Sequence, residues 1–349
     1  MAERTKTLRD SPIDWLLERT NPSVRYFTLR QIMGKAHTDP EVLEAKRRIP
    51  ESAPVQRIMQ KQNPAGYWEK PGNPYLPKYK SSYWTLMVLG SLGMDRTHET
   101  VARACEFIFQ FQHDDGGFCC DIAESASRTY EYRLRKGWEH RSREESVSSL
   151  IFESQLSCLT GNMVAALVRM GFEDDPRVRK AVDWLVRVQN KDGGWLCPHW
   201  KAHAKDKHGC FMGTICPMEA FGEMRSEGLT KEMRAAISAG SEFLLAHRLF
   251  RADHHNGRVI KPLWLELGFP WFYDYSTLRG LDVLTKLGYV SDPRLRDAVE
   301  DLLLKRQGNG TWILERSPAG RMQTDLERVG QPSKWITLIA LRILKRLRA

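Results

Sequence analysis

The chain has 349 residues, a net charge of +10, 42% hydrophobic and 28% charged side chains, a balance that excludes disordered and collagen-like classes. No apolar run approaches the roughly 18 residues of a membrane-crossing helix, and the opening M-A-E-R-T-K-T-L-R-D lacks the apolar core of a secretory signal. Seven cysteines without a C-x-x-C pair argue against a disulfide framework and for a reducing, cytoplasmic setting.

Helical periodicity runs through the sequence and strand-like alternation is nearly absent. The first pair of predicted helices, 11–18 and 22–34, falls within an N-terminal stretch 1–40. Amphipathic segments follow near 42–62, 98–112, 176–189, 230–248 and 292–307. Each is succeeded by a more apolar one, near 80–93, 153–171, 210–225, 272–288 and 333–348. The second set, exemplified by Y-W-T-L-M-V-L-G-S-L-G and W-I-T-L-I-A-L-R-I-L, is apolar around much of its circumference, and such helices are buried. Six apolar helices wrapped by six amphipathic ones give an all-α, (α/α)6 toroid. It is expected as a single domain over 1–349, with 1–40 as its N-terminal helix pair.

Punctuation between the helices repeats. Gln62, Gln112, Gln189 and Gln307 each begin a Q-x2-3-G-x-aromatic motif, as in Q-N-K-D-G-G-W at 189–195. Gly supplies the positive-φ turn that ends the outer helix. The aromatic ring packs on a neighbour, and the Gln side chain bonds exposed backbone. G-F-E-D-D-P-R at 171–177 and G-Y-V-S-D-P-R at 288–294 are near copies of a second turn, with Asp as helix cap and Pro behind it.

These repeats resemble the QW-type repeats of squalene–hopene cyclases and the related repeats of protein prenyltransferase β subunits. The likeness runs from about Val55 to Leu347. The opening P-I-D-W-L-L-E-R-T-N-P-S-V-R-Y-F-T-L-R is similar to the start of small bacterial proteins of that superfamily. The resemblance implies the toroid and an apolar cavity for an isoprenoid. The acidic motifs of that superfamily, D-x-D-D and D-D-x-x-D, are missing. Asp114-Asp115 and Asp174-Asp175 fall in turns and read as caps. Protein prenyltransferases hold zinc with Asp-x-Cys and a His from the next inner helix. Here the corresponding places carry His208-x-Cys210 and Tyr273-Asp274, the same three ligand types with His and Asp exchanged. Three ligands and an open position suit a catalytic zinc.

Candidate chemistry gathers in the loops after the Gln motifs. The five D-P-type turns sum to −4, whereas the long loops 69–80, 119–150, 196–209, 249–270 and 313–334 sum to +6. Those loops also carry His140, His199, His203, His208, His254 and His255, and long loops in a compact domain are usually functional. Cys197, His208 and Cys210 are candidates for a metal site, a metal-free thiolate, or solvated loop residues. Asp274 and Glu153, at expected inner-helix starts, and Glu219 within one are candidate acids. Asp274, between Tyr273 and Tyr275, is the proton donor of choice; its alternative role is an N-cap. Tyr79, Tyr83, Trp84, Trp200, Trp264, Trp271 and Trp335 offer aromatic walls, which stabilise a carbocation through their faces, or simply core. Lys80, Arg279 and Lys334 could hold an anionic head group such as a diphosphate.

The leading expectation is a terpenoid-cyclase-like enzyme performing acid-initiated cyclisation, hydration or isomerisation of an apolar substrate, with Asp274, Cys210 and His208 at the reaction centre. The alternatives are zinc-assisted prenyl transfer through His208, Cys210 and Asp274, and a non-catalytic lipid-binding or partner-docking module. Basic residues scattered among acids do not suit nucleic acid. A peripheral membrane contact fits the absence of a transmembrane segment.

Overall fold

Asn21, Asp39, Asp175 and Asp292 each precede a proline at the start of a helical turn, and each side chain accepts a backbone N–H from that turn. The expected D-P caps are therefore present. The computed structural model describes residues 12–198 and 205–348. Among the described residues the helices are α1 (Pro12–Leu16), α2 (Pro22–Phe27), α3 (Pro40–Arg48), α4 (Ala53–Met59), α5 (Ser82–Ser91), α6 (Glu99–Phe109), α7 (Ala123–Arg135), α8 (Arg143–Glu153), α9 (Ser157–Arg169), α10 (Pro176–Arg187), α11 (Phe211–Glu223), α12 (Lys231–Ala246), α13 (Thr277–Lys286), α14 (Arg296–Leu304) and α15 (Lys334–Arg348). One short antiparallel ladder pairs Trp312–Ile313 with Pro332–Ser333. The protein is all-α.

All twelve expected segments contain a helix, with two changes of extent. The 42–62 segment breaks around Pro50 into α3 and α4, because proline cannot continue a helix. The 119–150 stretch, expected as a loop, holds α7 and α8. Glu153 consequently ends α8 instead of starting an inner helix, and α9 begins only at Ser157.

The described chain divides into two compact units. One comprises 12–60, 92–94 and 244–348, the other Lys61–Ser91 and Asp95–Phe243. In the second unit α9 packs on α11 and α5. Gly161 permits the first approach, since a Cβ there would lie 2.4 Å from Pro217 N. Glu219 is spent in this core, where it pairs with Arg169 alongside Glu223. In the first unit α13 packs on α15, and Asp282 of α13 meets Arg342 and Arg346 of α15.

The Gln motifs are four copies of one turn. Gly66, Gly116, Gly193 and Gly310 all have φ between 84 and 116°. The amides of Gln62, Gln112 and Gln189 each donate to their own glycine's carbonyl and to a later helix, α6 at Thr100 O (2.9 Å), α10 at Arg177 O (2.9 Å) and α12 at Ala236 O (2.9 Å). A further tie was not legible. The buried aromatic's backbone N–H donates to a hydroxyl near the start of α5, α9, α11 or α15: Trp68 to Ser82, Phe118 to Thr160, Trp195 to Thr214 and Trp312 to Thr337, at 2.9–3.1 Å.

Candidate functional site

In the first unit, Asp274 stands just before α13. Ser276, not Asp274, caps that helix by accepting Arg279 N at 3.2 Å, so Asp274 is released from the capping role. The segment before it is held tightly. Phe272 is buried with φ 49°, a conformation non-glycine residues adopt only when their surroundings enforce it. Arg279, 2% exposed, supplies that enforcement by donating Nη1 to Phe272 O (2.9 Å) and Asp274 O (3.0 Å). Its guanidinium also lies 5.7 Å from the Trp271 ring centre. Arg279 thus positions Asp274 and is engaged where a head-group binder was expected.

The Asp274 carboxylate meets Arg316 at 3.0 Å, with the two side chains 31% and 35% exposed. Arg316 O accepts Phe269 N. Phe269 in turn stacks on Trp335, centroids 4.7 Å apart, and meets Trp271 edge-on at 6.2 Å. Trp271, Phe269 and Trp335 therefore form one aromatic surface beside the acid. Trp271 Nε1 and Thr277 Oγ1, on either side of Asp274 in sequence, are buried without a hydrogen-bond partner among the described residues. Orphan polar atoms cost about 1–3 kcal/mol each and call for an explanation.

Other expected residues of this unit are committed elsewhere. Tyr275 donates its hydroxyl to Leu249 O at 2.5 Å, and burial pushes its pKa up. Tyr273 is half-buried. Lys334 pairs with Glu18 at 2.6 Å and lies over Trp15. One acid escaped the sequence reading. Glu327 accepts from Lys334 N (2.7 Å), Trp335 N (3.4 Å) and the Ser333 hydroxyl. Burial nevertheless raises its pKa, against those hydrogen bonds and Lys334.

The second unit brings His208 and Cys210 together on a surface cavity of about 600 Å³ with Leu196, Lys205 and Lys207. Cys210 N donates to Trp195 O (2.8 Å) and Gly209 N to the Asp192 carboxylate (2.5 Å), so the Gln189 turn fixes this strand-like entry to α11. His208 Nδ1 lies 2.8 Å from Gly209 O and its ring 5.1 Å from that of Phe243. Within this unit two of the three expected zinc ligands are present, one fewer than a catalytic zinc takes; Asp274 belongs to the other unit and pairs there with Arg316.

Six more cysteines lie in this unit. Hydrogen bonding from Cys158 lowers the Cys197 pKa despite burial, and the same contact raises that of Cys158. Burial pushes Cys120 up to about 12 and Cys119 up to about 11. Tyr83 donates to Cys119 O at 3.1 Å and is fully buried. Tyr79 packs on Trp84 (5.5 Å), whose indole donates to Tyr75 O. Lys80, half-buried, accepts Thr85 Oγ1 at its carbonyl. Tyr79, Tyr83 and Trp84 are core residues. His199, Trp200 and His203 lie outside the described residues.

No family model matches the chain. A 37-residue stretch is 54% identical to squalene–hopene cyclase of Bradyrhizobium diazoefficiens, over 10% of this chain and 6% of that enzyme. The chain therefore matches a small part of that relative's length. Among solved structures, a type II terpene cyclase variant from Scytonema bound to geranylgeranyl dihydroxybenzoate aligns at TM-score 0.43 and 16% identity, covering 94% of this chain and 87% of that one. A second variant, bound to merosterolic acid A, aligns at TM-score 0.45 and 14% identity, covering 97% and 99%.

The similarity is to terpenoid cyclases. Of the aspartates in the two adjacent pairs, Asp115, Asp174 and Asp175 have structural partners. Asp115 accepts Trp184 Nε1 (3.2 Å) and pairs with Arg187. Asp175 caps α10, and Asp174 pairs with Arg179 and Arg225.

Proposed function

We propose that this chain is a terpenoid-cyclase-like enzyme that receives an isoprenoid or similar apolar substrate inside an (α/α)6 toroid formed by the whole chain. A carboxylic acid starts the reaction by protonating an alkene or epoxide; the O–H bond breaks, a C–H or O–H bond forms, and the resulting carbocation is closed by a ring bond, by water or by proton loss. The observation that carries this reading is the setting of Asp274, with Trp271 and Thr277 holding orphan polar atoms beside it and three aromatic rings in continuation. Aromatic faces attract a cation, and buried unpaired donors suit a ligand with a polar end. The Scytonema cyclases with which the chain aligns hold a geranylgeranyl compound and a product of the same class.

For Asp274 to reach a substrate, its contact with Arg316 must open. Glu327, with its raised pKa and its tie to Trp335, is the competing donor. Turnover of polyprenyl substrates by Asp274→Asn and Glu327→Gln separates them. Loss of the general acid should lower kcat by about 10²–10⁴-fold with the Tm retained. Full activity in both variants refutes acid initiation here.

Zinc-assisted prenyl transfer is the second reading, supported by His208 and Cys210 sharing one cavity. Elemental analysis of protein purified without added metal should then give close to one zinc per chain, and His208→Ala should lower it. The third reading is a non-catalytic lipid carrier. It predicts a co-purifying apolar molecule that the protein leaves chemically unchanged.

A further inference from the structure

All seven cysteines of the chain fall between 105 and 216, within the second unit. Backbone pairing gathers four of them near the starts of α9 and α11. Cys120 N donates to Ser154 O at 3.1 Å, and Cys210 N to Trp195 O at 2.8 Å. The hydroxyl of Ser157, the first residue of α9, donates to Leu196 O at 2.6 Å and lies 4.0 Å from Cys197 Sγ. The loop leaving the Gln189 turn is thereby tied to the N-terminus of α9, where Cys158 is the second residue. Cys105 is unlike this group. It is sealed in the core with its sulfur 3.6 Å from that of Met170.

The first N–H groups of a helix have no partner within it. Leu156 precedes α9 and has no side-chain acceptor for them. The Cys197 sulfur takes that place. It receives the backbone N–H groups of Ser157 and Cys158 and the thiol of Cys158, with the Ser157 hydroxyl alongside. Donors at a helix N-terminus favour negative charge, and the thiolate is the form of cysteine that attacks electrophiles. Those contacts outweigh burial and lower the Cys197 pKa, whereas Cys158, which gives the proton, is raised. The other titratable groups acting on the pair are thiols as well: Cys210 and Cys216 on Cys158, and Cys120 beside Cys197. Cys197 is 5% exposed and Cys158 is half-buried, an access that admits a small oxidant and excludes a bulky one.

We infer that Cys197 and Cys158 form a peroxide-reactive dithiol, in which Cys197 attacks a small hydroperoxide and Cys158 resolves the product as a disulfide. In the first step the S–O bond forms and the O–O bond breaks. Cys197 becomes a sulfenic acid, and the departing alkoxide or hydroxide takes up a proton. In the second step the Cys158 sulfur attacks the Cys197 sulfur. The S–S bond forms, the S–O bond breaks, and hydroxide leaves as water with the Cys158 proton. Two thiols are thus oxidised while one hydroperoxide is reduced to an alcohol, or to water, with release of one further water. The inference is independent of the proposed chemistry, since it uses neither a carboxylic acid nor an isoprenoid.

Hydrogen peroxide added to the reduced, folded full chain tests it, with free thiols blocked before digestion and mass mapping. The expected product is a Cys158–Cys197 disulfide, lighter by two hydrogens and reversed by dithiothreitol. Cys158→Ala should stop at a sulfenic acid on Cys197 that dimedone traps. Cys197→Ala should leave Cys158 reduced and slow peroxide consumption at least ~10-fold. Iodoacetamide labelling of Cys197 against pH should have its midpoint below the ordinary 9.0, which packing alone would not produce. The parent needs no substitution, so its mapping decides the matter even where a variant fails to fold. A folded parent that forms no disulfide overturns the inference. So does a bridge between other cysteines, or a dimedone label on Cys120 or Cys210 while Cys197 stays reduced.

Discussion

Asp282 lies in α13 with its carboxylate between Arg342 and Arg346 of α15. Burial alone would raise its pKa, but attraction from the two guanidiniums outweighs that and leaves it lowered. A lowered folded value means stability that is present above the ordinary value of 3.8 and lost as pH falls through the folded value. Asp282→Asn leaves two half-buried guanidiniums without their buried counter-charge, and should cost about 1–3 kcal/mol at pH 7 by urea unfolding. Glu327 has the opposite sign. Its raised folded value means stability fully present below the ordinary 4.5 and lost as pH rises through the folded value. Glu327→Gln should therefore remove part of the decline in stability on going from about pH 4.5 toward neutrality. Asp274 stood out as a candidate in the sequence because it precedes an apolar helix between two tyrosines, and the structure places it just before α13. Glu327 was not, since it sits in an aperiodic loop and acquires its environment from Ser333 to Trp335 and from burial.

At the scale of elements, the Gln motif was readable because its geometry is local: Gln and Gly are three or four residues apart and close one turn. Its hydroxyl partners were not, lying 14, 42, 19 and 25 residues from the aromatic N–H they receive. Thr214→Val keeps the shape and leaves Trp195 N–H unsatisfied in the core, so a loss of about 1–3 kcal/mol is expected in thermal or urea unfolding. Gly193→Ala should cost about 2–3 kcal/mol or more. Its φ is 87°, and a Cβ would lie 2.3 Å from Ala239 O. A milder effect of Gly288→Ala, where φ is also positive but no atom lies within 4 Å, would separate the close approach from the backbone strain. The α7–α8 hairpin escaped the sequence reading for a physical reason. Its helices bury so few side chains, Ala126, Ser146 and Leu150, that no apolar stripe marks them.

For the whole molecule, the fourth repeat differs from the other three in what it leans on. Gly66, Gly116 and Gly193 lie against Arg103 of α6, Lys180 of α10 and Ala239 of α12, whereas Gly310 lies against Pro12 at the start of α1. Lys334 pairs with Glu18, 316 residues away, and Arg342 and Lys345 bond Gln31. The first helices therefore serve as the next element after the last repeat. Deleting 12–34 should lower the Tm and expose Trp312 to a fluorescence quencher while leaving the Trp195 turn protected. Protection of both Trp312 and α15 in that deletion would contradict this dependence. Apolar periodicity marked twelve segments that each contain a helix, but it could not say which early segment completes which late one, because no local spacing records a partner three hundred residues off.

Pro12 against Gly310 also sets an order of events during translation. Stretches 61–91 and 95–243 leave the ribosome with their own partners already made, but 12–60 must wait for 244–348 to be synthesised. Nascent chains stalled once Phe243 has emerged should resist protease across the middle and be cut readily before Gln60. Residues 12–60 would be among the last to settle although they are translated before 61–243.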